Sequence, residues 1–322
     1  MHGDLSAVIA LEVVKQGMFT TVQDIGRYGY LRYGVPISGA MDVYSLITTN
    51  MLVLNDAGAA CIETTLIGPQ LEAKSNLTMA VTGGDCSPEV DGSPIPMWQT
   101  VTMKAGEVLS FGPMKSGCRA YVAIHGGIDV PIVLGSKSTY MRGGFGGLHG
   151  RRLKAGDLIS AFDVSPLTEK YSFSPHAIPS FPSNLKIGVV MGPQNEMFTD
   201  QGIDTFLSNV YTVTSESDRM GYRLHGPLIS HIDEADIVSD ALLPGAVQVP
   251  RNGMPIVIMK DAQTSGGYPK IAVVTTPNIN LLGQAKPNDT IEFSKVTQKQ
   301  ARNKYLQYEK RISDLRKIMV RI

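Results

Sequence analysis

Cysteine is scarce in this sequence, which contains only Cys61, Cys86 and Cys118. An odd and scattered set of three does not build a disulfide framework, and it favours a reducing compartment. The stretch Met1–Ala10 has neither a basic start nor a long apolar core, so we predict no signal peptide. Together these features predict a cytoplasmic protein.

Net charge and long apolar runs are also missing. Lys plus Arg and Asp plus Glu both total 29, so the formal net charge is zero. Such a chain has no long-range field that would attract nucleic acid or acidic lipid. No apolar run reaches the length of a membrane span. We therefore expect neither nucleic acid nor a membrane among its partners.

Several catalytic signatures are absent as well. His125 and His149 lie in glycine loops and His225 and His231 are six residues apart, so no metal-ligand spacing emerges. The glycine-rich stretch 135–151 lacks the Gly-Lys-Ser/Thr ending of a phosphate-binding loop. There is no Gly-x-Ser-x-Gly elbow, and no Met-Lys-Met sequence that would carry covalent biotin. We predict no metal and no covalent biotin.

Turn residues, in contrast, are abundant, with 33 glycines and 19 prolines. Short apolar segments between Ala59 and Ile159 alternate with glycine and proline turns, which is typical of closed or nearly closed β-barrels. Helical spacing recurs after Ser38, with Ser38 as the expected N-cap, Asp42 in the first turn and an end near Asn55. The sequence therefore predicts a mainly β fold with a few helices, the others at Pro193–Leu207 and Gln298–Met319.

A Ser/Pro-rich stretch without periodicity divides the chain and predicts a linker. Leu66–Leu71 and Leu224–Ile229 are similar in kind, and a Lys-x-x-Asp/Glu turn recurs in both halves. Either the halves are duplicated, or a tight acidic turn simply recurs before β-strands. We predict a first barrel half at 1–164, a linker at 165–184, a second barrel half at 185–296 and an amphipathic C-terminal helix at 297–322.

The stretch 21–42 combines four glycines with polar side chains, as expected where a backbone approaches a ligand closely. Arg27 offers a planar fork for an anion, and a helix beginning at Ser38 would favour the same charge. Gln23 can read an amide, and Asp24 can act as a base or an orienting group. Alternatively, Asp24 and Arg27 form a structural pair and Ser38 is only a cap. The candidate catalytic residues are Gln23, Asp24 and Arg27, and the candidate substrate-binding residues are Ser38, Gly39 and Asp42.

Three further polar stretches are candidates for substrate binding. The glycine-rich stretch 135–151 interleaves hydroxyls with glycines and could form a backbone anion nest, or else a surface loop. The segments 217–224 and 261–269 could line a second polar cavity, or else serve turns. The candidate residues are Ser136, Ser138 and Thr139 in the first of these stretches, and Arg219, Arg223, Gln263 and Thr264 in the other two.

Seven motifs together resemble one known family. It is the family of KipA-like proteins, which includes the C component of 5-oxoprolinase and is also called allophanate hydrolase subunit 2 or the biotin-dependent carboxyltransferase family. The motifs are spread along nearly the whole chain except the linker and the last helix. They are TTVQDIGRYGY (Thr20–Tyr30), GVPISGAMD (Gly34–Asp42), ETTLIGP (Glu63–Pro69), GGIDVPIVLGSKSTY (Gly126–Tyr140), GGLHGRRLKAGD (Gly146–Asp157), SDRMGYRLHGP (Ser217–Pro227) and PGAVQVPRNGMPIVIMKDAQTSGGYPKIAVV (Pro244–Val274).

The resemblance implies a specific fold and role. It implies two cyclophilin-like β-barrel domains, and a complex with the two other components of 5-oxoprolinase, the KipI-like B component and the A component. That complex opens the cyclic amide 5-oxo-L-proline to L-glutamate at the expense of ATP, and we do not place the ATP site in this chain. Two alternatives remain. One is a non-catalytic KipA-type antagonist of a KipI-like kinase inhibitor. The other is a carboxyltransferase component acting on a urea-like substrate, with carboxybiotin carried elsewhere.

Overall fold

The computed structural model describes residues 7–322. These residues form two compact units. Of the described residues, the first contains 7–27, Ser38–Ser180 and Ser313–Ile322, and the second contains Tyr28–Ile37 and Phe181–Ile312. Of the stretch Met1–Ala10, on which the signal-peptide prediction rests, residues 1–6 lie outside the description. None of the helices in residues 7–322 has the length and apolar character needed to cross a bilayer.

The first unit is built from β-strands and one helix. Its strands up to residue 173 are β1 (Val8–Lys15), β2 (Phe19–Gln23), β3 (Cys61–Thr65), β4 (Gln70–Ala73), β5 (Leu77–Gly83), β6 (Pro88–Val90), β7 (Ser93–Pro94), β8 (Thr100–Met103), β9 (Val108–Phe111), β10 (Arg119–Ile124), β11 (Ile128–Asp129), β12 (Leu158–Ala161) and β13 (Tyr171–Phe173). In the described residues, one sheet has the order β11-β12-β1-β4-β9-β6-β7 and a second has the order β2-β3-β10-β5-β8. Its helix is α1 (Val43–Leu52).

Side chains from both sheets meet in one apolar core. Val13 and Leu71 come from the larger sheet, and Ile62 and Val122 from the smaller. Helix α1 is buried along almost its whole length, so its polar side chains need partners inside the protein. The Thr49 hydroxyl donates a hydrogen bond to the Ser45 carbonyl at 2.6 Å, so this buried hydroxyl has a partner without water.

The second unit contains a closed barrel. Its strands are β14 (Asn184–Met191), β15 (Val210–Val213), β16 (Gly221–His225), β17 (Asp240–Ala241), β18 (Ala246–Gln248), β19 (Ile256–Ile258), β20 (Ser265–Gly266), β21 (Lys270–Val274) and β22 (Thr290–Lys295). Seven of the described strands form the barrel in the order β14-β21-β18-β19-β16-β15-β22, and parallel pairing of β14 with β22 closes it. The helices assigned to this part of the chain are α2 (Asp200–Ser208), α3 (Thr276–Leu282) and most of α4 (Gln298–Ile318).

The mainly β prediction is confirmed, with a closed barrel in the second unit and two sheets in the first. The C-terminal helix is confirmed at Gln298–Ile318. The helix predicted at Pro193–Leu207 is wrong at its start, because it begins only at Asp200. The hydroxyl of Thr199 accepts from the Gly202 N–H at 2.9 Å and caps it there.

The Ser/Pro-rich segment 165–184 contains more regular structure than its composition indicates. Within it, β13 pairs antiparallel with β23 (Met319–Arg321), and Pro175–Ala177 forms one 3-10 turn. Composition predicts local freedom, but it cannot show that a distant strand supplies the missing hydrogen bonds. The interdomain segment is therefore partly held in the first unit.

The tight acidic turn has one geometry in both units. The backbone N–H groups of Lys104, Lys154 and Lys286 each donate to the carboxylate three residues later, at 2.8, 2.7 and 3.0 Å. Each turn leads directly into a strand, namely β9, β12 or β22. In each turn the acidic side chain accepts the local backbone N–H, so the turn is stable wherever this sequence occurs. The similarity between the two halves is therefore explained by turn chemistry and does not require a duplicated domain.

Candidate functional site

Asp24 organises the candidate site from the end of β2. Its carboxylate accepts from the Ser136 hydroxyl at 2.7 Å, the Lys137 N–H at 2.6 Å and the Gly26 N–H at 2.8 Å, and it also accepts from the Ser138 hydroxyl. The residue is buried, so these donors replace water around the charge. Asp24 thereby fixes the loop 136–138. This is the role of an orienting group, one of the two roles expected for Asp24 from the sequence.

Arg27 is fully buried beside the same loop. Its guanidinium donates to the carbonyls of Val133 at 3.0 Å and Ser138 at 2.9 Å, and it lies 4.9 Å from the centre of the Phe145 ring. The sequence predicted an anion-binding fork here. In the structure, Nε and Nη2 donate to the protein's own backbone and brace the segment 133–138, part of which Asp24 also holds.

Gln23 and Thr139 complete a group of interacting polar residues, the Asp24 corner. It comprises Gln23, Asp24, Arg27, Ser136, Ser138 and Thr139. The Gln23 amide donates to the Thr21 hydroxyl at 3.0 Å and to the Thr139 carbonyl at 3.2 Å, and Thr139 donates to the Val22 carbonyl at 2.9 Å. Among the described residues, the carbonyl oxygen of the Gln23 side chain has no hydrogen-bond donor. The structure thus brings Gln23, Asp24 and Arg27 together with Ser136, Ser138 and Thr139, two sets of candidates that the sequence identified separately.

The predicted helix start at Ser38 is wrong. Helix α1 begins at Val43, and its cap is Asp42, whose carboxylate accepts from the Ser45 N–H at 3.1 Å. Ser38 lies in the left-handed region at φ 53°, is buried, and has a hydroxyl with no partner among the described residues. The anion site expected from a helix terminus at Ser38 and Gly39 therefore does not exist in that form, and these residues form a turn.

Gly39 is required by a close approach of two backbones. Its φ is +83°, and a Cβ placed there would lie 2.7 Å from the Gly26 Cα. We expect Gly39→Ala to lower the free energy of unfolding by about 2 kcal/mol or more, since strain and a backbone clash both apply. Urea denaturation of the purified chain measures this, with Gly29→Ala as the matched control. Gly29 has a similar φ of +93° but no atom within 4 Å of the added Cβ, so an equal loss in both variants would contradict the clash.

A buried polar network holds the turn before α1, and the sequence did not predict it. The Glu63 carboxylate accepts from the Met41 N–H at 2.9 Å and from the Tyr121 hydroxyl at 2.8 Å. The same hydroxyl accepts from the Asp42 N–H at 2.8 Å, and Arg119 faces the Glu63 carboxylate at 3.8 Å. Burial, and next the negative charge of Glu63, raise the pKa of Tyr121 well above its usual range, so it remains a neutral donor.

A cleft of about 610 Å³ opens beside the Asp24 corner, within the first unit. Its lining includes Asp24 and Ser136 from the predicted site, and Lys137 and His125, which the sequence did not select. Lys137 is half-buried, and burial lowers its pKa while the charges of Asp129 and Asp24 act in the opposite direction. The signal that could have identified Lys137 was its position between two predicted site serines.

His125 has a fixed orientation at the edge of this cleft. Its Nδ1 lies 2.7 Å from the Val53 carbonyl oxygen, and its Nε2 lies 3.7 Å from the Asp163 carboxylate. A carbonyl can only accept, so Nδ1 carries a proton and donates it to Val53. Cys86 does not belong to this cleft lining and is a buried thiol. Burial raises the pKa of Cys86 to about 12, in keeping with a structural role.

Most glycines of the 143–150 loop are tightly packed within the unit, whereas Gly144 has open space beside it. A Cβ on Gly146 would lie 2.0 Å from the Ser138 carbonyl oxygen, and a Cβ on Gly147 would lie 1.9 Å from the Thr139 hydroxyl oxygen. The Gly147 N–H donates to the Lys137 carbonyl at 2.9 Å. The loop therefore closes over the segment 137–139, and these glycines do not fit a phosphate cradle.

The predicted residues of the second half lie in the second unit. Arg219 is buried and pairs with Asp261, with two nitrogen–oxygen distances of 2.7 and 3.1 Å. Arg223 is exposed and lies 3.7 Å from Glu216. The space beside Gln263 is about 10 Å³, roughly the room for one water. The Thr264 carbonyl accepts from the Leu242 N–H at 2.9 Å, which is a backbone role.

Comparison with known proteins places this geometry in context. The family model described as carboxyltransferase domain, subdomain A and B, matches residues 33–295. The C component of the 5-oxoprolinase of Escherichia coli K12 is 38% identical over 283 residues, which are 88% of this chain and 90% of that protein. The urea amidolyase of Saccharomyces cerevisiae is 35% identical over 317 residues, covering 91% of this chain but 17% of that protein.

A solved structure agrees with these sequence matches. The crystal structure of the Kluyveromyces lactis urea carboxylase superposes with a TM-score of 0.89 at 33% identity, covering 96% of this chain and 29% of that one. The chain thus spans nearly the whole bacterial relative but only a minor part of each fungal protein. The fungal proteins therefore contain a region of this fold among others.

Proposed function

The chain belongs to the carboxyltransferase domain family, subdomains A and B, and on that basis we propose that it is the C component of an ATP-dependent 5-oxoprolinase. In this role it acts with the KipI-like B component and the A component to open 5-oxo-L-proline to L-glutamate. The observation that carries the proposal is the near full-length match to the Escherichia coli C component. The fungal matches cover a small part of much longer proteins, so they support the fold more than the whole activity.

The cleft in the first unit supports a small polar substrate. Asp24 holds Ser136 and Lys137 at its wall, and the surrounding loop is braced by Arg27. Substrate sites need such fixed polar groups in a concave surface. Each hydrogen-bond donor must be in place before negative charge develops on the substrate in the transition state. We assign the Asp24 corner to the substrate side of the reaction.

ATP is assigned to the complex and not to this chain. The glycine-rich loop that could cradle phosphates is filled by its own backbone and side chains, as at Gly146 and Gly147. We therefore derive no step of the reaction through a nucleotide held here, and we propose that one of the two partner proteins holds it.

Reconstitution tests the proposed function. Mixing this chain with the A and B components of 5-oxoprolinase, ATP and 5-oxo-L-proline is expected to release L-glutamate at a rate that depends on all three proteins. Leaving out this chain, or ATP, is the matched control and is expected to abolish release. Equal release without this chain would contradict the proposal.

Carboxyl transfer is a second candidate, favoured by the match to the urea carboxylase structure. In that case the chain would act on a urea-like amide with carboxybiotin supplied by a separate carrier. The discriminating assay offers urea, ATP, bicarbonate and a biotinylated carboxylase, and it measures urea-dependent ATP hydrolysis. Turnover of urea without turnover of 5-oxoproline would replace the first proposal by the second. A KipI-like protein inhibits a histidine kinase. If this chain relieves that inhibition and no mixture turns over either substrate, the KipA-type antagonist would be indicated.

A further inference from the structure

Lys137 has an unusually well fixed backbone for a residue whose side chain reaches a cleft. Its N–H donates to the Asp24 carboxylate at 2.6 Å, and its carbonyl accepts from the Gly147 N–H at 2.9 Å. The residues on either side, Ser136 and Ser138, also donate to Asp24. The starting point of the lysine side chain is therefore set by the same carboxylate that organises the site.

The ammonium group of Lys137 is held from two sides. Its Nζ donates to the Ile128 carbonyl at 2.6 Å and lies 5.1 Å from the centre of the Phe162 ring. Both contacts belong to residues that line the cleft. A cation over an aromatic face is attracted to it, so the ring and the carbonyl together keep Nζ at the cleft wall.

The negative charges of Asp129 and Asp24 act on the Lys137 ammonium without forming a direct ion pair with it. Across residues 7–322, no carboxylate oxygen forms an ion pair with Nζ, and Ile128 supplies its one hydrogen-bond acceptor. The nearby Asp24 carboxylate already accepts from four donors. A half-buried ammonium has three N–H donors, and beyond the Ile128 carbonyl and the Phe162 ring the described residues give Nζ no further hydrogen-bond acceptor. Such a group suits an anionic ligand, since an ion pair would offset its cost of burial.

We propose that Lys137 binds the carboxylate of the substrate, so that the cleft selects small cyclic amides that carry a carboxylate. This inference rests on the proposed function and makes it more specific. 5-Oxo-L-proline has both a ring amide and a carboxylate, whereas urea and 2-pyrrolidinone have an amide without a carboxylate. Lys137 would thus separate the two candidate substrate classes, while Asp24 acts only by positioning it.

Direct binding tests the proposal without requiring turnover. Isothermal titration of 5-oxo-L-proline and of 2-pyrrolidinone into the full-length chain is compared for the unmodified protein, Lys137→Met and Lys137→Arg. We expect Lys137→Met to weaken 5-oxo-L-proline binding by about 10- to 100-fold, as for loss of a charged hydrogen bond. Binding of 2-pyrrolidinone is expected to change less than about 2-fold, and Lys137→Arg to retain most of the affinity for the carboxylate. Lys115→Met, which removes an exposed lysine of the same unit, is the matched control.

The reconstituted complex supplies the second measurement. There Lys137→Met is expected to raise KM for 5-oxo-L-proline with a smaller effect on kcat, as for loss of a binding interaction. Equal affinity of Lys137→Met and the unmodified chain for 5-oxo-L-proline would overturn the inference, as would an equal loss of affinity for 2-pyrrolidinone. Selective loss of binding in a chain that supports no turnover would leave Lys137 as a carboxylate site and refute the 5-oxoprolinase proposal instead.

Discussion

Replacing Asp24 by alanine is expected to lower the rate of the reconstituted complex by about 100-fold or more, with the chain still folded. Asp24 fixes the loop that carries Ser136 and Lys137 at the cleft wall, and a displacement of about 1 Å in a site costs roughly that factor. The same change removes the acceptor of four donors in a buried position. We therefore also expect a loss of about 3 kcal/mol in the free energy of unfolding, since buried donors are left unsatisfied.

A matched variant separates positioning from general destabilisation. Ser136→Ala removes one of the four donors and leaves the Asp24 carboxylate with three, the Lys137 and Gly26 N–H groups and the Ser138 hydroxyl. We expect a loss of about 1 kcal/mol in stability and a rate reduction well below that of Asp24→Ala. Urea denaturation and steady-state kinetics measure both effects. A full rate in folded Asp24→Ala would show that the loop 136–138 is not part of the site.

The individual candidate residues of the first unit could be selected from the sequence because each stretch has a local signal, whereas their meeting around Asp24 could not. Glycine turns and short apolar segments predict the strands, and the polar residues at 23–27 and 136–139 are marked by neighbouring glycines. The start of α1 was predicted one turn too early because Ser38 and Asp42 are both favourable N-caps. Only the backbone geometry, with Ser38 at a positive φ, shows that Asp42 is the N-cap of α1.

Other parts of the site have no local signal. Glu63 and Tyr121 are 58 residues apart and meet because β3 and β10 pair. Arg27 was predicted to bind an anion because a guanidinium fork suits one, and the sequence could not show that two of its nitrogens donate to carbonyls more than 100 residues away. Residue type gives the chemistry that a side chain can perform, and only the tertiary structure decides which partner it has.

The Glu63 network provides the other large expected effect. Glu63→Ala is expected to destabilise the chain by about 3–5 kcal/mol, as for removal of one partner from a buried charged cluster. It takes away the acceptor of the Met41 N–H and the Tyr121 hydroxyl, and the carboxylate that faces Arg119. The turn at 38–42 is held through these bonds, so the affinity for 5-oxo-L-proline is expected to fall as well.

Tyr121→Phe is the matched variant, because it keeps the ring and removes only the hydroxyl that bridges Glu63 and the Asp42 N–H. We expect a loss of about 1–2 kcal/mol, since that N–H is left without its acceptor. In Glu63→Gln the amide keeps one oxygen acceptor and the side-chain volume, so its cost is expected to lie between those of the other two variants. A double-mutant cycle of Glu63→Gln with Tyr121→Phe, followed by urea denaturation, measures the coupling. Additive losses would show that the two side chains stabilise the turn independently, whereas a coupling above about 0.5 kcal/mol is expected for a single hydrogen-bonded unit.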